Sequence, residues 1–392
     1  MAILVFNAGS SSLKFRLYLM SATGSPHVAV RGAINHLGDS AEWTWHTAGE
    51  DETGTTAVRD HAAAATWVLQ RLQAPTIEPI DAIGHRVVHG GEHFREPVVV
   101  DDAVIARLES LNPLAPLHNP PALAVMRACR ALVGPARSMV AVFDTAFHAS
   151  LPETAHCYAL PSEWIRAAGI RRYGFHGIAH RYLYQRYREL CPAEPAARVV
   201  SFQLGHGCSV AAIRDGRSVE TSMGYTPLEG LIMATRCGDV DPGAILQLAS
   251  RMDHAQLAHG LTHAAGLRAL SGISADMREL LEHEAAGHAG ARRAIEAFCH
   301  RARKYLGAYL AVLGGADAIL FGGGIGEHAP SIRARICADM QWCGVRLDTD
   351  ANTAVGVEQR LSPTGARPLV YVIPVDEELM IARDTQALLA RR

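Results

Sequence analysis

The amino-acid sequence predicts an α/β fold built from two similar lobes. The chain opens with two apolar runs, AILVFN and KFRLYLM, separated by AGSSSL, which is typical of two strands around a small polar turn. The same order returns in the second half as RVVSFQ, LGHGC and SVAAIRDG. Laying FNAGSSS over FQLGHGC matches Asn7 with Gln203 and Gly9 with Gly205. This match indicates an internal duplication, which would give two lobes with an active-site cleft between them.

The other predicted elements follow from apolar runs and their spacing. HVAVRGAI and AEWTWHT are predicted to be strands, and a helix is predicted over about Val58–Gln73, with its apolar side chains on one face. DAIGHRVVHGGE is predicted to be a strand that runs into a glycine turn, and MVAVF a buried strand that ends at Asp144. A long helix over about Arg292–Leu313 precedes the strand AILFGGG, and the strand LVYVIP precedes a helix from about Asp376.

The composition is that of a soluble globular protein, with 49% apolar and 19% charged residues among 392. The net charge of −2 gives no overall field that would recruit nucleic acid or an anionic membrane, so we expect neither as a partner. Any bound anion must be held by local groups. The eight cysteines show no CxxC spacing, which indicates reduced thiols rather than a zinc site. No apolar run is long enough for a signal peptide or a membrane span, so we expect a cytoplasmic protein.

Three glycine-rich turns, NAGSSSLK, QLGHGCS and GGGIGEH, each follow a predicted buried strand. Glycine lets the backbone approach a ligand closely, so neighbouring amide N–H groups can point at one anion. The serines and Lys14 of the first turn add donors and a positive charge. None of the turns has the spacing of a P-loop, because no GK[ST] follows four variable residues. Together the turns predict phosphate binding, although a single glycine turn usually has no ligand.

Two arginines lie in apolar, glycine-rich surroundings, Arg86 in GHRVVHGG and Arg236 in TRCGD. A guanidinium is always charged, and it binds a carboxylate or a phosphate through two parallel donors. Two such arginines facing one cleft would suit a substrate carboxylate and a phosphoryl group in transit. The alternative for either arginine is a structural ion pair with a nearby acid, such as Asp239.

Two histidines and three acids complete the candidate residues. His118 in LHNPPAL and His176 in YGFHGIAH stand out among 20 histidines, although most histidines are structural. Asp144 ends a predicted buried strand, where α/β proteins place acids that orient a metal or a substrate, and where an acid can equally cap the next helix. Glu377 and Glu378 begin the last predicted helix, where a carboxylate favours the helix dipole without any further role.

Taken together, these motifs resemble the acetate kinase family of kinases that form acyl phosphates. The resemblance extends over essentially the whole chain, in order, through NAGSSSLK, GHRVVHGG, PLHNPPAL, VFDTAFH, RRYGFHG, TSMGYTPLEG, TRCGDVDPG, SGISADMREL, GIGEH and EELMIARDT. It implies a two-lobed fold of the sugar kinase, Hsp70 and actin superfamily, the use of Mg²⁺ and ATP, and a homodimer. It also implies an N-terminal lobe of residues 1–144 with 379–392, and a nucleotide-binding, dimerising lobe of residues 145–378.

The resemblance assigns catalytic roles to five residues. Arg86 and Arg236 resemble the pair that holds the carboxylate and the phosphoryl group in transit. Asp144 resembles the family's active-site acid. His176 resembles the residue that stabilises the transition state, and His118 resembles a further phosphoryl contact.

The resemblance also assigns binding residues. Those of the magnesium site are Asn7 and Glu377. Those of the phosphate cradle are Ser10, Ser12, Lys14, Gln203, Leu204, Gly205, His206 and Gly207. Those of the small apolar pocket around the alkyl end of the acid are Val88, Leu117, Phe175 and Pro227. Those of the adenosine site are Asp276, Met277, Arg278, Gly324, Ile325, Gly326, Glu327 and His328.

The sequence departs from the family's usual pattern mainly near the expected nucleotide. The usual HLGNG turn is QLGHG here, so Gln203 and His206 replace a histidine and an asparagine, and the usual GIGEN ends in His328. The usual GTSH is GIAH, and Asp376 replaces the asparagine before the final glutamates. Glutamine and neutral histidine still donate hydrogen bonds, so we expect an altered affinity for the phosphoryl donor rather than lost activity.

The function predicted from these residues is reversible transfer of the γ-phosphoryl group of ATP to the carboxylate of acetate or propionate. A carboxylic acid is already an anion at neutral pH, so its attack needs no base, and neutralisation of charge carries the catalysis. One methylene in a small apolar pocket is worth only about 1–3 kcal/mol, so the sequence does not separate acetate from propionate or butyrate. Another triphosphate or pyrophosphate as donor also stays open.

Two other classes of protein remain as alternatives. A sugar or polyol kinase of the same superfamily would use Asp144 as a true base, because a hydroxyl acceptor must lose its proton. The two arginines argue against such a neutral acceptor. A non-catalytic paralogue would bind a nucleotide or an acyl phosphate as a sensor.

Overall fold

The computed structural model describes residues 1–21, 26–134 and 137–391. The chain divides into two compact units, Met1–Phe147 with Asp376–Arg392, and His148–Val375. The first unit is slightly larger than the sequence led us to expect. It also includes residues 145–147 and residues 376–378. Glu377 and Glu378 therefore lie in the first unit, with Arg86 and Asp144.

The first 147 residues begin with five successive strands, and three helices and three further strands follow. They are β1 (Ala2–Ala8), β2 (Ser12–Leu19), β3 (His27–Asn35), β4 (Gly38–Thr47), β5 (Asp51–Val58), α1 (His61–Arg71), β6 (Ala82–Val87), β7 (Val98–Val99), α2 (Asp102–Glu109), α3 (Asn119–Val133) and β8 (Ser138–Phe143).

The rest of the chain is richer in helices. Its elements are α4 (Glu153–His156), α5 (Ser162–Ala168), α6 (Gly177–Leu190), β9 (Arg198–Leu204), β10 (Cys208–Arg214), β11 (Arg217–Thr221), α7 (Pro242–Ala249), α8 (His254–His263), α9 (Gly266–Ser271), α10 (Met277–Ala285), α11 (Ala289–Leu313), β12 (Ala318–Gly322), α12 (Gly323–His328), α13 (Pro330–Cys337), β13 (Gln359–Arg360), β14 (Leu369–Val372) and α14 (Glu377–Leu389). Short 3-10 turns lie at Asn112–Leu114, Ala146–Ser150, Gln341–Cys343 and Ala351–Thr353.

The sheet of the first unit has the strand order β5-β4-β3-β2-β1-β6-β8-β7. β1, β6 and β8 are parallel neighbours, and β1 is buried along its whole length, as expected for a central strand. Helix α14 packs on β1 and β6. A side chain at Gly84 of β6 would lie 2.7 Å from Ile381 Cγ2 of this helix, so glycine permits the close approach. That contact brings the helix that begins with Glu377 onto the strand that carries Arg86.

The sheet of the second unit has the order β11-β10-β9-β12-β14-β13. β9 is antiparallel to β10 and parallel to β12, which is parallel to β14. Five strands thus repeat the order β3-β2-β1-β6-β8 of the first sheet. The registers agree as well: Phe6 pairs with His85 and Phe202 pairs with Phe321, and both pairs of rings are stacked. The predicted α/β fold with two similar lobes is confirmed.

Some local predictions differ from the structure. The helix predicted from Val58 begins at His61, because Asp51–Val58 form β5 and Asp60 caps α1 by accepting a hydrogen bond from Ala63 N–H. GGGIGEH is not a turn: Gly323–His328 form α12 directly after β12. A side chain at Gly323, where φ is +77°, would lie 2.7 Å from the carbonyl oxygen of Leu204, so the start of α12 packs on β9.

Among the helices of the described ranges, none combines the length and the apolar character needed to cross a membrane. All eight cysteines lie within these ranges, and each is a free thiol.

Candidate active site

Four candidate residues of the first unit lie at the same edge of its sheet. Asn7 lies near the end of β1, Arg86 near the end of β6, and Asp144 directly after β8. These three strands are parallel, so their carboxyl ends meet at one edge, where α/β proteins place ligands. Glu377 joins them from the first turn of α14.

Arg86 is the centre of this group. Its Nε and Nη2 donate to the two carboxylate oxygens of Asp144, at 3.1 and 2.6 Å, and its Nη1 donates to Asn7 Oδ1 at 3.0 Å. Glu377 Oε2 lies 3.8 Å from Arg86 Nε. Burial opposes the charge of Arg86, but Asp144 and Glu377 outweigh it and raise the pKa of the guanidinium. Described residues thus engage three of its five N–H groups, which leaves two for a substrate.

The carboxylates around Arg86 outnumber the cations. Burial raises the pKa of Glu377 to about 7; Arg86 opposes this shift, and the charges of Asp144 and Glu378 add to it. Glu378 Oε1 accepts from Asn7 Nδ2 at 3.2 Å, and its other oxygen lies 3.9 Å from Arg16 Nη2. This edge of the sheet therefore holds an excess of negative charge that a cation would neutralise.

The donor atoms here fit a magnesium ion of the kind found with phosphate substrates. Mg²⁺ is usually bound through one or two carboxylates, several waters and substrate phosphates rather than by a complete protein cage. Asn7 and Glu377 supply an amide oxygen and a carboxylate in that region of excess negative charge. Within the described ranges, no group of three or more His, Cys, Asp or Glu side chains is arranged to hold a metal.

The remaining candidates of the first unit lie around the β1–β2 turn, after β6 and before α3. Ser10 is exposed and Ser12 half-buried in the β1–β2 turn, and Lys14 is the strand partner of Asn7. Val88 is buried directly after β6. Leu117 is 53% exposed, which is unusual for a large apolar side chain, and the half-buried His118 directly precedes α3. Asn119 fixes this segment, because its amide bonds both backbone groups of His89.

His176 is held at the start of α6 in the second unit. Its backbone has φ +58°, a left-handed conformation that is uncommon outside glycine. Its Nδ1 lies 2.9 Å from Ser209 Oγ. The glycine turn after β9 faces the same ring: a Cβ at Gly207 would lie 3.2 Å from His176 Cε1 and 3.3 Å from Arg236 Nη1. His176 and Arg236 therefore border the same turn.

Arg236 is a half-buried cation, and no acid among the described residues compensates its charge. Its Nη1 contacts the carbonyl of Pro227 at 3.4 Å and the sulfur of Met233 at 3.7 Å. Among the described residues no carboxylate forms an ion pair with it, and burial lowers its pKa. Asp239, the partner weighed from the sequence, instead pairs with Arg301 and accepts from Tyr305. Arg236 is therefore ready to bind an anion.

The other residues of the QLGHG turn have separate environments. Gln203 is half-buried, and its Oε1 has no hydrogen-bond partner in the described chain. Leu204 is fully buried in β9. Burial and the charge of Arg236 lower the pKa of His206, which is therefore neutral at physiological pH. Phe175 is buried beside His176, and Pro227 is half-buried.

A cavity of about 410 Å³ lies beside this turn. Its lining joins four segments that are far apart in the sequence. The lining residues are Gly205, His206, Ala234, Ala275, Asp276, Met277, Arg278, Leu281, Gly324, Ile325, His328 and Ala329. Most of the residues expected at an adenosine site are thus brought together. Glu327 has a different position, because its Oε1 accepts from the N–H groups of Gly323 and Val375 and so fixes the start of α12.

Several residues at these sites were missed by sequence reasoning. From the sequence, Glu378 had no expected role beyond the helix dipole, and neither Arg16 nor Tyr18 was singled out, although both bond Asp376. Ser209 and His180, which lie behind His176, were missed too. The spacing of His176 and His180, four residues apart, was a usable signal, because it places both rings on one face of a helix.

Known proteins share the sequence and the fold of this chain along nearly its whole length. The model of the Acetokinase family matches residues 2–383. The acetate kinase of Chloroherpeton thalassium is 44% identical over the full length of both chains, and that of Solibacter usitatus is 45% identical over 98% of this chain and 97% of its own. The crystal structure of Porphyromonas gingivalis acetate kinase superposes with a TM-score of 0.92, at 38% identity and 99% coverage of both chains. The crystal structure of a propionate kinase from Francisella tularensis superposes with a TM-score of 0.91, at 34% identity, and covers 98% of this chain and 99% of its own.

Proposed function

The chain belongs to the acetokinase family and is a kinase that transfers a phosphoryl group reversibly between ATP and the carboxylate of acetate, and we propose that the transfer is direct and in line. The observation that carries the assignment of residues is the half-buried guanidinium of Arg236 beside His176, which pairs with no described acid. It supplies the positive charge that a phosphoryl group in transit requires.

The chemistry explains why no base is required. Acetate is ionised at neutral pH, and the obstacle to reaction is repulsion between an anionic nucleophile and an anionic phosphate. Positioning and charge neutralisation therefore supply the catalysis. In this proposal Arg236 and His176 donate to the phosphoryl oxygens, and His118 makes a further contact with them. Arg86 orients the carboxylate with the two N–H groups that Asp144 and Asn7 leave to it.

We assign Asp144 to holding Arg86 and ordering water around the metal rather than to proton abstraction. Its carboxylate is 1% exposed and engaged on both oxygens by Arg86. Mg²⁺, when bound, supplies further charge neutralisation for the phosphates of the nucleotide. Asn7 and Glu377 are the residues that would hold it, with Ser10, Ser12 and Lys14 donating to phosphate oxygens nearby.

The nucleotide is assigned to the second unit. The cavity beside the QLGHG turn takes the adenosine, and the turn itself lies against its phosphates. The neutral His206 and the amide of Gln203 donate there in place of the family's asparagine and histidine. ATP as the donor places the reaction in the cytoplasm.

The alkyl end of the acid is assigned to four residues, Val88 and Leu117 of the first unit and Phe175 and Pro227 of the second. These side chains contact only the alkyl end, so acetate is the preferred substrate in this proposal and propionate a slower one. Because one methylene is worth about 1–3 kcal/mol in such a pocket, the difference in kcat/KM should be roughly 10–200-fold.

A homodimer formed through α7 is also part of the proposal. Every residue of α7 is exposed or half-buried, and the helix carries no charged side chain. Leu246 is 73% exposed, and Val240 just before the helix is 41% exposed. An uncharged apolar helix of this kind suits burial against a second copy. Sedimentation of the wild type and of Leu246→Glu tests this: a monomeric wild type would exclude the dimer.

The function is tested by trapping acetyl phosphate with hydroxylamine. Purified protein is incubated with Mg²⁺, one of acetate, propionate, butyrate or glycerol, and one of ATP, GTP or pyrophosphate. Hydroxamate should form with acetate and ATP, more slowly with propionate, and glycerol should consume no ATP. Consumption of ATP with glycerol alone would favour the polyol kinase alternative, and binding of ATP without any turnover would favour a sensor.

A further inference from the structure

A line of hydrogen bonds runs from His176 into the interior of the second unit. Ser209 Oγ lies 2.9 Å from His176 Nδ1 and 2.8 Å from His180 Nε2. The other ring nitrogen of His180, Nδ1, lies 2.9 Å from Ser201 Oγ. Ser201 and Ser209 come from the adjacent strands β9 and β10, and His180 lies one helical turn after His176 on α6. We call these four residues the histidine–serine chain.

The inner members of this chain are sealed from water. His180, Ser201 and Ser209 are each 0% exposed. Burial lowers the pKa of His180 well below its usual 6.5, and the neighbouring His148 and His176 add to the shift. His180 is therefore neutral and carries one hydrogen, on one of its two nitrogens. Because each nitrogen faces a serine, the position of that hydrogen sets the direction of the hydrogen bonds along the chain.

We propose that Ser209, supported by His180, is a positioning residue that lets His176 present an N–H at Nε2 to the transferring phosphoryl group in both of its charge states. The inference rests on the proposed function, in which His176 donates to that group. Ser209 is suited to this role because a hydroxyl both donates and accepts, whereas a carboxylate or a carbonyl only accepts.

The hydrogens balance in both states. When His176 is neutral, Ser209 donates its hydroxyl hydrogen to Nδ1, so the ring hydrogen stays on Nε2, and His180 donates from its own Nε2 to Ser209. When His176 is an imidazolium, its Nδ1–H donates to Ser209. Ser209 Oγ then accepts from both rings, since His180 keeps its hydrogen on Nε2, and the one added hydrogen is the proton that His176 takes from solvent. In each state His176 Nε2 bears a hydrogen.

The charged and titratable groups around His176 favour the neutral state. Arg236 borders the same glycine turn with its guanidinium, and the neutral His206 belongs to that turn. On the inner side His180 is neutral, and the ring of His148 packs against it at 5.8 Å between centroids. The positive charge of Arg236 disfavours a second cation beside it. The donation from Ser209 is therefore the arrangement used at neutral pH.

Ser209→Ala tests the inference, and Ser218→Ala is the matched control. Ser218 is equally buried and makes the same kind of bond, 2.8 Å from Nδ1 of His148, but it does not bond His176. We expect Ser209→Ala to lower kcat about tenfold, as for loss of one buried hydrogen bond, with the KM values for acetate and ATP unchanged. The kcat of Ser209→Ala should also vary with pH over the range in which the kcat of wild type is constant. Ser209→Thr, which keeps a hydroxyl, should restore both properties, and Ser218→Ala should match wild type.

A second measurement locates the ring hydrogen of His176 in the wild-type protein. In protein labelled with ¹⁵N-histidine, with the His176 signal identified by its loss in His176→Ala, neutral His176 should carry its hydrogen on Nε2. A hydrogen on Nδ1 would overturn the inference, as would equal losses of kcat in Ser209→Ala and Ser218→Ala. Failure of the proposed function looks different: His176→Ala would then keep full turnover. If His176→Ala is inactive while Ser209→Ala matches wild type, the positioning role of Ser209 is overturned and the proposed function stands.

Discussion

Arg86 and Asp144 form a bidentate ion pair at the edge of the first sheet, with N–O distances of 3.1 and 2.6 Å. The pair lies on adjacent parallel strands, and Asp144 is 1% exposed. Neither partner can be removed without leaving the other with a poorly compensated charge. The acid is therefore already engaged as the partner of a permanent cation, which suits a carboxylate acceptor and not a hydroxyl that must lose a proton.

Asp144→Asn should lower kcat by roughly 10²–10³ and raise the Mg²⁺ concentration needed for half-maximal rate, because one negative charge near the metal is lost. Acetyl hydroxamate formation over a range of Mg²⁺ concentrations measures both effects. Asp317→Asn is the control: Asp317 pairs with Arg198 at 2.9 Å, away from the candidate residues, and its loss should reduce stability without changing the Mg²⁺ dependence. Near-normal turnover of Asp144→Asn with unchanged Mg²⁺ dependence would contradict the assignment.

Arg236→Met should separate activity from stability. Methionine keeps most of the side-chain volume and removes a half-buried charge that no described carboxylate compensates, so the melting temperature should stay or rise while kcat falls by roughly 10²–10³. Arg333→Met is the contrast, because Arg333 is 0% exposed and donates to carbonyl groups of Gly326, Asn352 and Ala354 at 2.7 Å. It should lower the melting temperature. If Arg236→Met lowered the melting temperature as much as Arg333→Met does, Arg236 would be a structural residue.

The sequence predicted those parts of the fold and site that local patterns encode. Asn7, Asp144 and Glu377 lie at strand ends or a helix start, which apolar runs and turn residues mark clearly. β5 was missed because DETGTTAV is polar on both faces, as an edge strand can be. The contact of Ser209 with His176 was missed for another reason. It depends on the register of β10 against β9 and on the path of α6, and neither is written in the spacing of one motif.

Gly207→Ala should reduce activity without unfolding the protein. The new methyl carbon would lie 3.2–3.3 Å from His176 and from Arg236 Nη1, so it would push the two groups that are proposed to hold the phosphoryl oxygens. We expect kcat to fall about 10²-fold, since small displacements of catalytic groups cost this much. Gly205→Ala offers the comparison, because its methyl carbon would meet only the Gly207 carbonyl, at an ordinary 3.5 Å. A larger loss in Gly205→Ala would argue against the placement of both groups.

The stacked pairs Phe6–His85 and Phe202–Phe321 occupy equivalent positions in the two sheets, with centroids 6.0 and 5.0 Å apart. Burial lowers the pKa of His85 from 6.5 to about 3, and its Nε2 has no hydrogen-bond partner among the described residues. The unfolded chain takes up a proton at this histidine below about pH 6.5, whereas the folded chain does not. Its contribution to the free energy of unfolding therefore falls as the pH drops from 7 toward 3, by about 2 kcal/mol between pH 7 and 5.

His85→Phe copies the pair of the second unit into the first and removes this proton uptake. The melting temperature at pH 5 should rise toward its value at pH 7, although His89 and His148, whose pKa values burial lowers to about 4, keep part of the pH dependence. Phe321→His makes the reciprocal change and should increase the loss of stability in acid. Calorimetry at both pH values measures the two effects. If the melting temperatures of His85→Phe at pH 7 and pH 5 differ as much as those of wild type, His85 titrates alike in the folded and unfolded chains.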